Sequence, residues 1–476
     1  MPRQISPVTT IQQHGKRWTT LVHILECHHI QHTQDQSEFK RIILTDPDGT
    51  KLTALIFSSH LRYYMHTFQQ YKRYYISNAV VIRNQAKYAM GPYQFSWVLN
   101  NRTLVEELSD PIPLTLPCKF NFTPFKKLHK YAESDIYQDV RGMVVQCLPT
   151  YDQGPDLPTR RDIIIVNEEK VLLPITLWNE FSDYEGSMLQ SMIASTPLIF
   201  GLRLKVTTFN GLSLTTKASS RLLVNPPVSE ELQMQHWYNS HKTEVQELLE
   251  RKDFKNNNLL LPYPSDEDIT PITKVVDSFG MSSSSWVTGK LSLPMQDHGF
   301  FYTGCANCHK ALEADTTWIV TCPSCKTESE IIAMSRMLVT IKDATGSIQA
   351  TMYTPDVEKF IPFTATQLKE SEENGQSVND AIATTIQSSF ITAFLRAYTT
   401  EYRGTSQTRV NIIKAYTPKE KPPPHTKSPP RYGMSHAMTS ESTSEENQAS
   451  PTEPIPITAE KVIIPDMKEA KPMKKP

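Results

Sequence analysis

Glycine and net charge are both in short supply in this chain, which has 16 glycines in 476 residues and a formal net charge of −1 at pH 7. No G-x-x-x-x-G-K-[ST] loop is present to cradle phosphates, and neither H-E-x-x-H nor G-x-S-x-G occurs, so the main sequence signs of nucleotide hydrolysis, zinc proteolysis and serine hydrolysis are missing. Carboxylates are plentiful, but none has the spacing of a paired acid and base. The chain reads as non-enzymatic. No apolar run approaches the ~18 residues of a membrane span, and no signal peptide opens the sequence. Cysteine is sparse as well. Of seven, Cys27, Cys118 and Cys147 stand alone, which fits reduced thiols in the cytosol or nucleus and not a disulfide framework.

The other four form the pattern Cys305-x-x-Cys308, thirteen residues, Cys322-x-x-Cys325. Two C-x-x-C turns at this spacing converge four sulfurs on one point, and thirteen residues suffice for a hairpin that returns the second pair. The alternatives, four unrelated buried cysteines or two disulfides, fit less well with three scattered single cysteines and no signal peptide. Four thiolates leave no open coordination position, so the expected cofactor is one structural Zn2+ in a zinc ribbon. His28, His29 and His32 also cluster, but they read as a polar loop after the first strand, without a ligand framework.

One pattern occurs three times: a β-branched strand, a turn rich in Asp, Gly or Glu, and a second strand ending on an aromatic. The copies are IILTDPDGTKLTALIF (42–57), IIIVNEEKVLLPITLW (163–178) and LVTIKDATGSIQATMY (338–353). Each is a hairpin signal. Each follows a strand-like stretch (18–25, 139–148, 286–293) and precedes a short helical segment and one or two further strands. Strand, hairpin, helix, strand, strand is the order of an OB barrel. The fold class expected is therefore mainly β: three tandem OB-fold barrels, the third with the ribbon inserted between its first two strands. The expected domains are residues 1–108, 118–238 and 276–418, with the ribbon at 300–328, linkers at 109–117 and 239–275, and a helix from Ser229 to Lys252 entering the second linker. Residues 419–476 are rich in Pro, Ser and Glu and read as a disordered tail. Lys468, Lys471, Lys474 and Lys475 near its end suit nuclear import or simply a solvated terminus.

Charge is uneven. Residues 1–108 hold 12 Lys and Arg against 7 Asp and Glu, whereas 118–238 hold 12 against 13 and 254–418 hold 13 against 17. OB barrels bind single strands by stacking bases on aromatics while basic groups follow the phosphates. The candidates are Phe57 and Phe95 in the first barrel, Trp178 and Phe209 in the second, and Tyr353 in the third. A strand-end aromatic serves equally well as core, but Leu or Val would do that at all three strand ends. Lys51, Arg203 and Lys205 are the phosphate-contact candidates, with Lys40 and Arg41 weaker; a solvated surface is the alternative for each.

The segments VLLPITLW ending on Trp178, FNGLSL around Phe209, the Asn225–Tyr238 stretch and FYTGCANCHK resemble the large subunit of replication protein A, in its plant-type form, from about Trp18 to Pro418. That resemblance implies a sequence-nonspecific single-stranded DNA-binding protein of the nucleus, serving replication, repair and recombination. It places paired stacking aromatics at Phe57 and Phe95 and at Trp178 and Phe209, and zinc on the four ribbon cysteines. Smaller replication protein A-like subunits are implied partners. Three departures stand out: the chain starts at the first DNA-binding barrel, the first ribbon pair is close-spaced, and YTPKEKPPPHTKSPP stands where the family's trimerisation helix belongs. Proline precludes a continuous helix there. Two other classes compete with this reading, a protein-interaction scaffold that has lost DNA binding and an RNA-binding protein.

Overall fold

In the computed structural model each of the three apolar hairpins is built as a hairpin, and each seeds a closed barrel. The structure describes residues 4–421 except 14, 16, 34, 85–89, 110–114, 152–153, 155–156, 209–210, 252–253, 255–258, 279–282, 295–298, 388 and 403–404. The tail read as disordered, with its lysines, lies outside the described residues from 422 onward.

The first barrel comprises β1 (Thr19–His32), β2 (Glu38–Thr45), β3 (Lys51–Phe57), α1 (Ser58–Tyr64), β4 (Arg73–Ser77), β5 (Val80–Arg83), β6 (Phe95–Val98) and β7 (Leu104–Glu107). β1 pairs antiparallel with β2 and β4, β2 with β3, and β6 with β5, while β3 and β6 run parallel. Asn78, in the left-handed region at φ 60°, separates β4 from β5, so the two act as halves of one strand and the sheet closes on itself. β1 is longer than the sequence suggests. The histidine cluster read as loop is its end: the strand runs to His32, held by pairing of Cys27 through His32 with Ile42 through Glu38.

The second barrel comprises β8 (Gln138–Cys147), β9 (Arg160–Val166), β10 (Leu172–Trp178), α2 (Gly186–Met192), β11 (Leu198–Thr207), β12 (Ser213–Thr215) and β13 (Arg221–Val224), and is followed by α3 (Ser229–Glu250). β10 pairs parallel with β12, and β11 closes the ring between β12 and β8. Its strands read as unbroken apolar runs, such as IIIV, because both faces are covered. Ile163 and Ile165 enter the barrel core, whereas Ile164 and Val166 enter a second apolar layer shared with Leu25 and Ile43 of the first barrel and with Met234, Tyr238 and Val245 of α3. The two barrels are thus packed against each other.

The third unit comprises α4 (Ile272–Asp277), β14 (Ser283–Ser292), β15 (Phe301–Cys305), β16 (Ile319–Thr321), β17 (Glu328–Lys342), β18 (Ser347–Tyr353), α5 (Ala365–Glu373), α6 (Asn379–Ile386), β19 (Phe390–Tyr402) and β20 (Thr405–Tyr416). β14 pairs with β17 and β19, β17 with β18, and β18 runs parallel to β20. α5 starts where Thr364 and Gln367 cap each other, which satisfies amides otherwise left open at a helix start. β15 and β16 both pair with the outer half of β17, so the ribbon is an extension of a barrel strand. Trp286 and Phe394 join the apolar cluster of the second barrel together with Leu260 and Leu261 of the linker.

Candidate nucleic-acid interface

Along β3 the inward positions Leu52, Ala54 and Ile56 are all buried, and alternation sends Lys51, Leu55 and Phe57 outward. Phe57 is 39% exposed and faces the buried Phe39 across the β2–β3 pair, with ring centroids 6.2 Å apart. One ring supports the other. Phe95 opens β6 opposite Arg83, is half-buried, and lies 5.5 Å from the Tyr93 ring. Lys51 does not extend freely: its ammonium donates to the carbonyl of Lys119 at 3.2 Å and sits 4.5 Å from the Phe120 ring centroid. Lys40 and Arg41 are half-buried on β2.

Trp178 ends β10 opposite Arg160 of β9. Its indole N–H donates to Thr215 Oγ1 at 2.8 Å, which fixes the plane of a half-exposed ring. Phe209, its expected companion, lies outside the described residues. The two basic candidates of β11 are committed elsewhere. Arg203 occupies an irregularity in the β8–β11 pairing at φ 52°; its guanidinium donates to the carbonyl of Ser219 at 2.7 Å and to Glu26 of the first barrel at 2.5 Å. The local departure from strand geometry turns it into the seam between barrels, away from the open position the sequence suggested. Lys205 pairs with the exposed Asp135 at 3.2 Å.

Tyr353 ends β18 and is 37% exposed. Tyr302 of β15 meets it edge-on at 5.9 Å, and Arg336 lies opposite it on β17. Burial, with Tyr353 adding and Arg336 opposing, pushes the Tyr302 hydroxyl up to about 12. Burial likewise raises the Tyr353 hydroxyl, with Tyr398 adding and Arg336 and Arg409 opposing, and the Arg396 guanidinium lies 5.1 Å from the Tyr398 ring. Tyr302 and Tyr398 were not signalled by the sequence, because they reach Tyr353 only through pairings made by the ribbon and by the β19–β20 hairpin.

The seam carries two buried ion-pair clusters. Glu26 is 1% exposed and bridges Arg203 and His28 Nε2, the latter at 2.8 Å. Burial alone would raise its carboxyl, but Arg203 and His28 hold it down at about 2. Burial keeps His28 below the ordinary histidine value, against the pull of Glu26. Beside it, Glu185 accepts from Arg221 at 2.5 Å and lies 3.0 Å from His29 Nε2. The carboxylate partner of His29 is thus 156 residues away, which is why the cluster looked unsupported.

At the ribbon, the sulfurs of Cys305, Cys308, Cys322 and Cys325 all lie within 4.8 Å of one another, with Cys305–Cys325 at 3.7 Å and Cys308–Cys322 at 3.6 Å. A tetrahedral centre with metal–sulfur bonds of ~2.3 Å has sulfur–sulfur edges of ~3.8 Å. The two turns repeat one geometry: His309 N–H donates to Cys305 O and Lys326 N–H to Cys322 O, both at 2.8 Å, and both residues have left-handed φ, 60° and 56°. Burial opposes ionisation of Cys325, but hydrogen bonds from Thr327 bring its thiol down to about 6. Burial and the neighbouring sulfurs push Cys308 up to about 12. Four sulfurs at these distances would ionise together on a cation, and the group fits a tetrahedral, sulfur-preferring metal.

Residues 287–421 match the family described as the replication factor-A C-terminal domain, and residues 9–130 match a domain of unknown function, DUF223. By sequence, the chain is similar to replication protein A large subunits. It is 25% identical over 392 residues to a replication protein A 70 kDa DNA-binding subunit of Arabidopsis thaliana, covering 80% of this chain and 65% of that protein. It is 23% identical to a second 70 kDa paralogue of the same plant, covering 87% of this chain and 68% of the relative. Replication factor A protein 1 of Saccharomyces cerevisiae is 23% identical over 77% of this chain and 60% of its own length. The chain therefore spans about two-thirds of the length of these relatives. A solved replication protein A heterotrimer bound to ssDNA aligns with 87% of this chain at 20% identity and a TM-score of 0.43.

Proposed function

We propose that this protein binds single-stranded DNA without sequence preference and without catalysis, as the nuclear replication protein A-like large subunit of replication, repair and recombination, acting through modules at 1–108, 118–238 and 276–418. The observation that carries this is the exposed or half-exposed ring at the same strand end of all three barrels: Phe57, Trp178 and Tyr353. Stacking is worth about 1–3 kcal/mol per base, so Phe57, Phe95, Trp178 and Phe209 together supply roughly 4–12 kcal/mol gross, against the ~8 kcal/mol of a micromolar complex. The ribbon cysteines hold one structural Zn2+, whose part is to fix the two turns. Smaller replication protein A-like subunits are candidate partners.

The test is binding of the full chain to oligo-dT. Phe57→Ala and Trp178→Ala should each weaken it about 5- to 150-fold while circular dichroism stays unchanged. A double variant that binds like the parent ends the stacking assignment. A second reading, a protein-interaction scaffold, is favoured by the ion pairs that occupy Arg203 and Lys205. A salt titration separates the two, because a strand binder loses affinity steeply as salt rises. Competition by a matched RNA strand tests preference for DNA.

A further inference from the structure

The second turn of the ribbon does not stand apart from the barrels. The hydroxyl of Tyr151, in the second barrel, donates to the carbonyl of Pro323 at 2.9 Å. The same ring has the Lys326 ammonium 5.3 Å from its centroid and the Arg160 guanidinium at 4.9 Å. Arg160 is the cross-strand partner of both Tyr151 and Trp178. Trp178, Arg160, Tyr151 and Lys326 therefore follow one another from the stacking platform of the second barrel to the ribbon of the third.

Two cations on one ring repel each other, and neither Arg160 nor Lys326 has a carboxylate partner among the described residues, unlike Arg203, Lys205 and Arg221. An anion between them would relieve that repulsion. Lys326 is also held by its backbone: it has left-handed φ and its N–H is tied to Cys322, so the fold of the turn aims its side chain at Tyr151.

We propose that Arg160, Tyr151 and Lys326 form a phosphodiester-binding site at the seam of the second barrel and the ribbon, taking the backbone of a strand that has just stacked on Trp178. This rests on the single-strand-binding reading and adds a path between the second and third barrels. Tyr151 tethers the turn and presents both cations, and Lys326 is the ribbon's own contact to the strand.

The experiment is a salt titration of the full chain on oligo-dT of roughly 30 nucleotides, long enough for more than one barrel. Lys326→Gln and Arg160→Gln should each lower the slope of log K against log salt by about 0.7, the value for one single-strand phosphate contact. The parent-to-variant affinity ratio should then shrink about 2.6-fold between about 50 and about 200 mM salt. Lys326→Arg should restore the slope, and all variants should retain the parent's metal content. If the parent binds while both Gln variants keep its slope, or if Lys326→Arg behaves like Lys326→Gln, this site is overturned and the stacking reading stands. A parent that binds no single strand overturns both.

Discussion

Glu26 is the residue on which the seam between the first two barrels turns, because it is a fully buried carboxylate whose charge is met by Arg203 from the other barrel. Removing one member of such a pair leaves the other uncompensated, at a cost of about 3–5 kcal/mol when both are buried. The Arg203 side chain is 24% exposed, which moves Glu26→Gln toward the lower end, about 3 kcal/mol in a urea melt. On acidification the buried histidines and Glu26 act in one direction, and Asp139, whose carboxyl burial raises, opposes them. His23, His28 and His129 are held below the ordinary histidine value, first of all by burial, so the unfolded chain takes up protons before the folded one does. Stability is then complete above pH ~6.5 and falls as pH drops below it. Glu26 continues the trend: it is ionised in the folded state down to about 2 against an ordinary value of 4.5, so its contribution is lost between those values. Urea midpoints should be level from pH 7 to 8 and decline on acidification, and Glu26→Gln should flatten the decline below pH ~4.5. A midpoint that rises on acidification would remove the network from the account.

Among the elements, the ribbon is the one with little apolar packing of its own around β16. β16 has three residues, of which Ile319 is 68% exposed, and Trp318 beside it is 58% exposed; among the described residues no apolar core closes around them. A structural zinc held by the four cysteines, as proposed, would contribute about 10–16 kcal/mol. Chelation should therefore abolish amide protection in β15, β16 and the outer half of β17, while β8 to β13 remain protected in hydrogen exchange. Protection of β16 that survives chelation would show that the four sulfurs need no metal. Elements differ in how openly the sequence announces them. The three hairpins are legible because inward Leu, Ile and Val alternate with outward residues over short, turn-bounded runs. The ribbon is legible because C-x-x-C turns have few other uses. The far half of β1 is not, since Glu26, His28 and His29 look like polar loop until Arg203 and Glu185 are brought to them across the seam. The turning-in of Arg203 is equally hidden, because one departure from strand geometry reverses where a side chain points. Tyr302 and Tyr398 lack any local signal, their neighbours being set by long-range pairing.

At the scale of the whole molecule, the unbroken apolar runs of the second barrel carry information that alternation does not. Ile164, Val166, Leu198, Phe200 and Leu202 point away from the barrel core and share one apolar layer with Leu25 and Ile43 of the first barrel and with Met234, Tyr238 and Val245 of α3. Leu25 and Ile43 are the first barrel's buried members of that layer, and burial of each is worth about 1.5–3 kcal/mol, so separating the barrels costs roughly 3–6 kcal/mol of apolar burial, with the Glu26–Arg203 pair in addition. In the proposed binding mode this contact limits how far Phe57 and Trp178 shift relative to each other before a strand arrives, which lowers the cost of ordering one barrel against the other. The first two barrels should also unfold as one unit. Leu25→Ala and Phe200→Ala lie on different barrels, each at 1% exposure, and should cost about 2–5 and 3–5 kcal/mol. In differential scanning calorimetry both substitutions should lower the same transition. Two transitions, one moved by Leu25→Ala and the other by Phe200→Ala, would mean that the barrels melt independently and that the shared layer does not couple them.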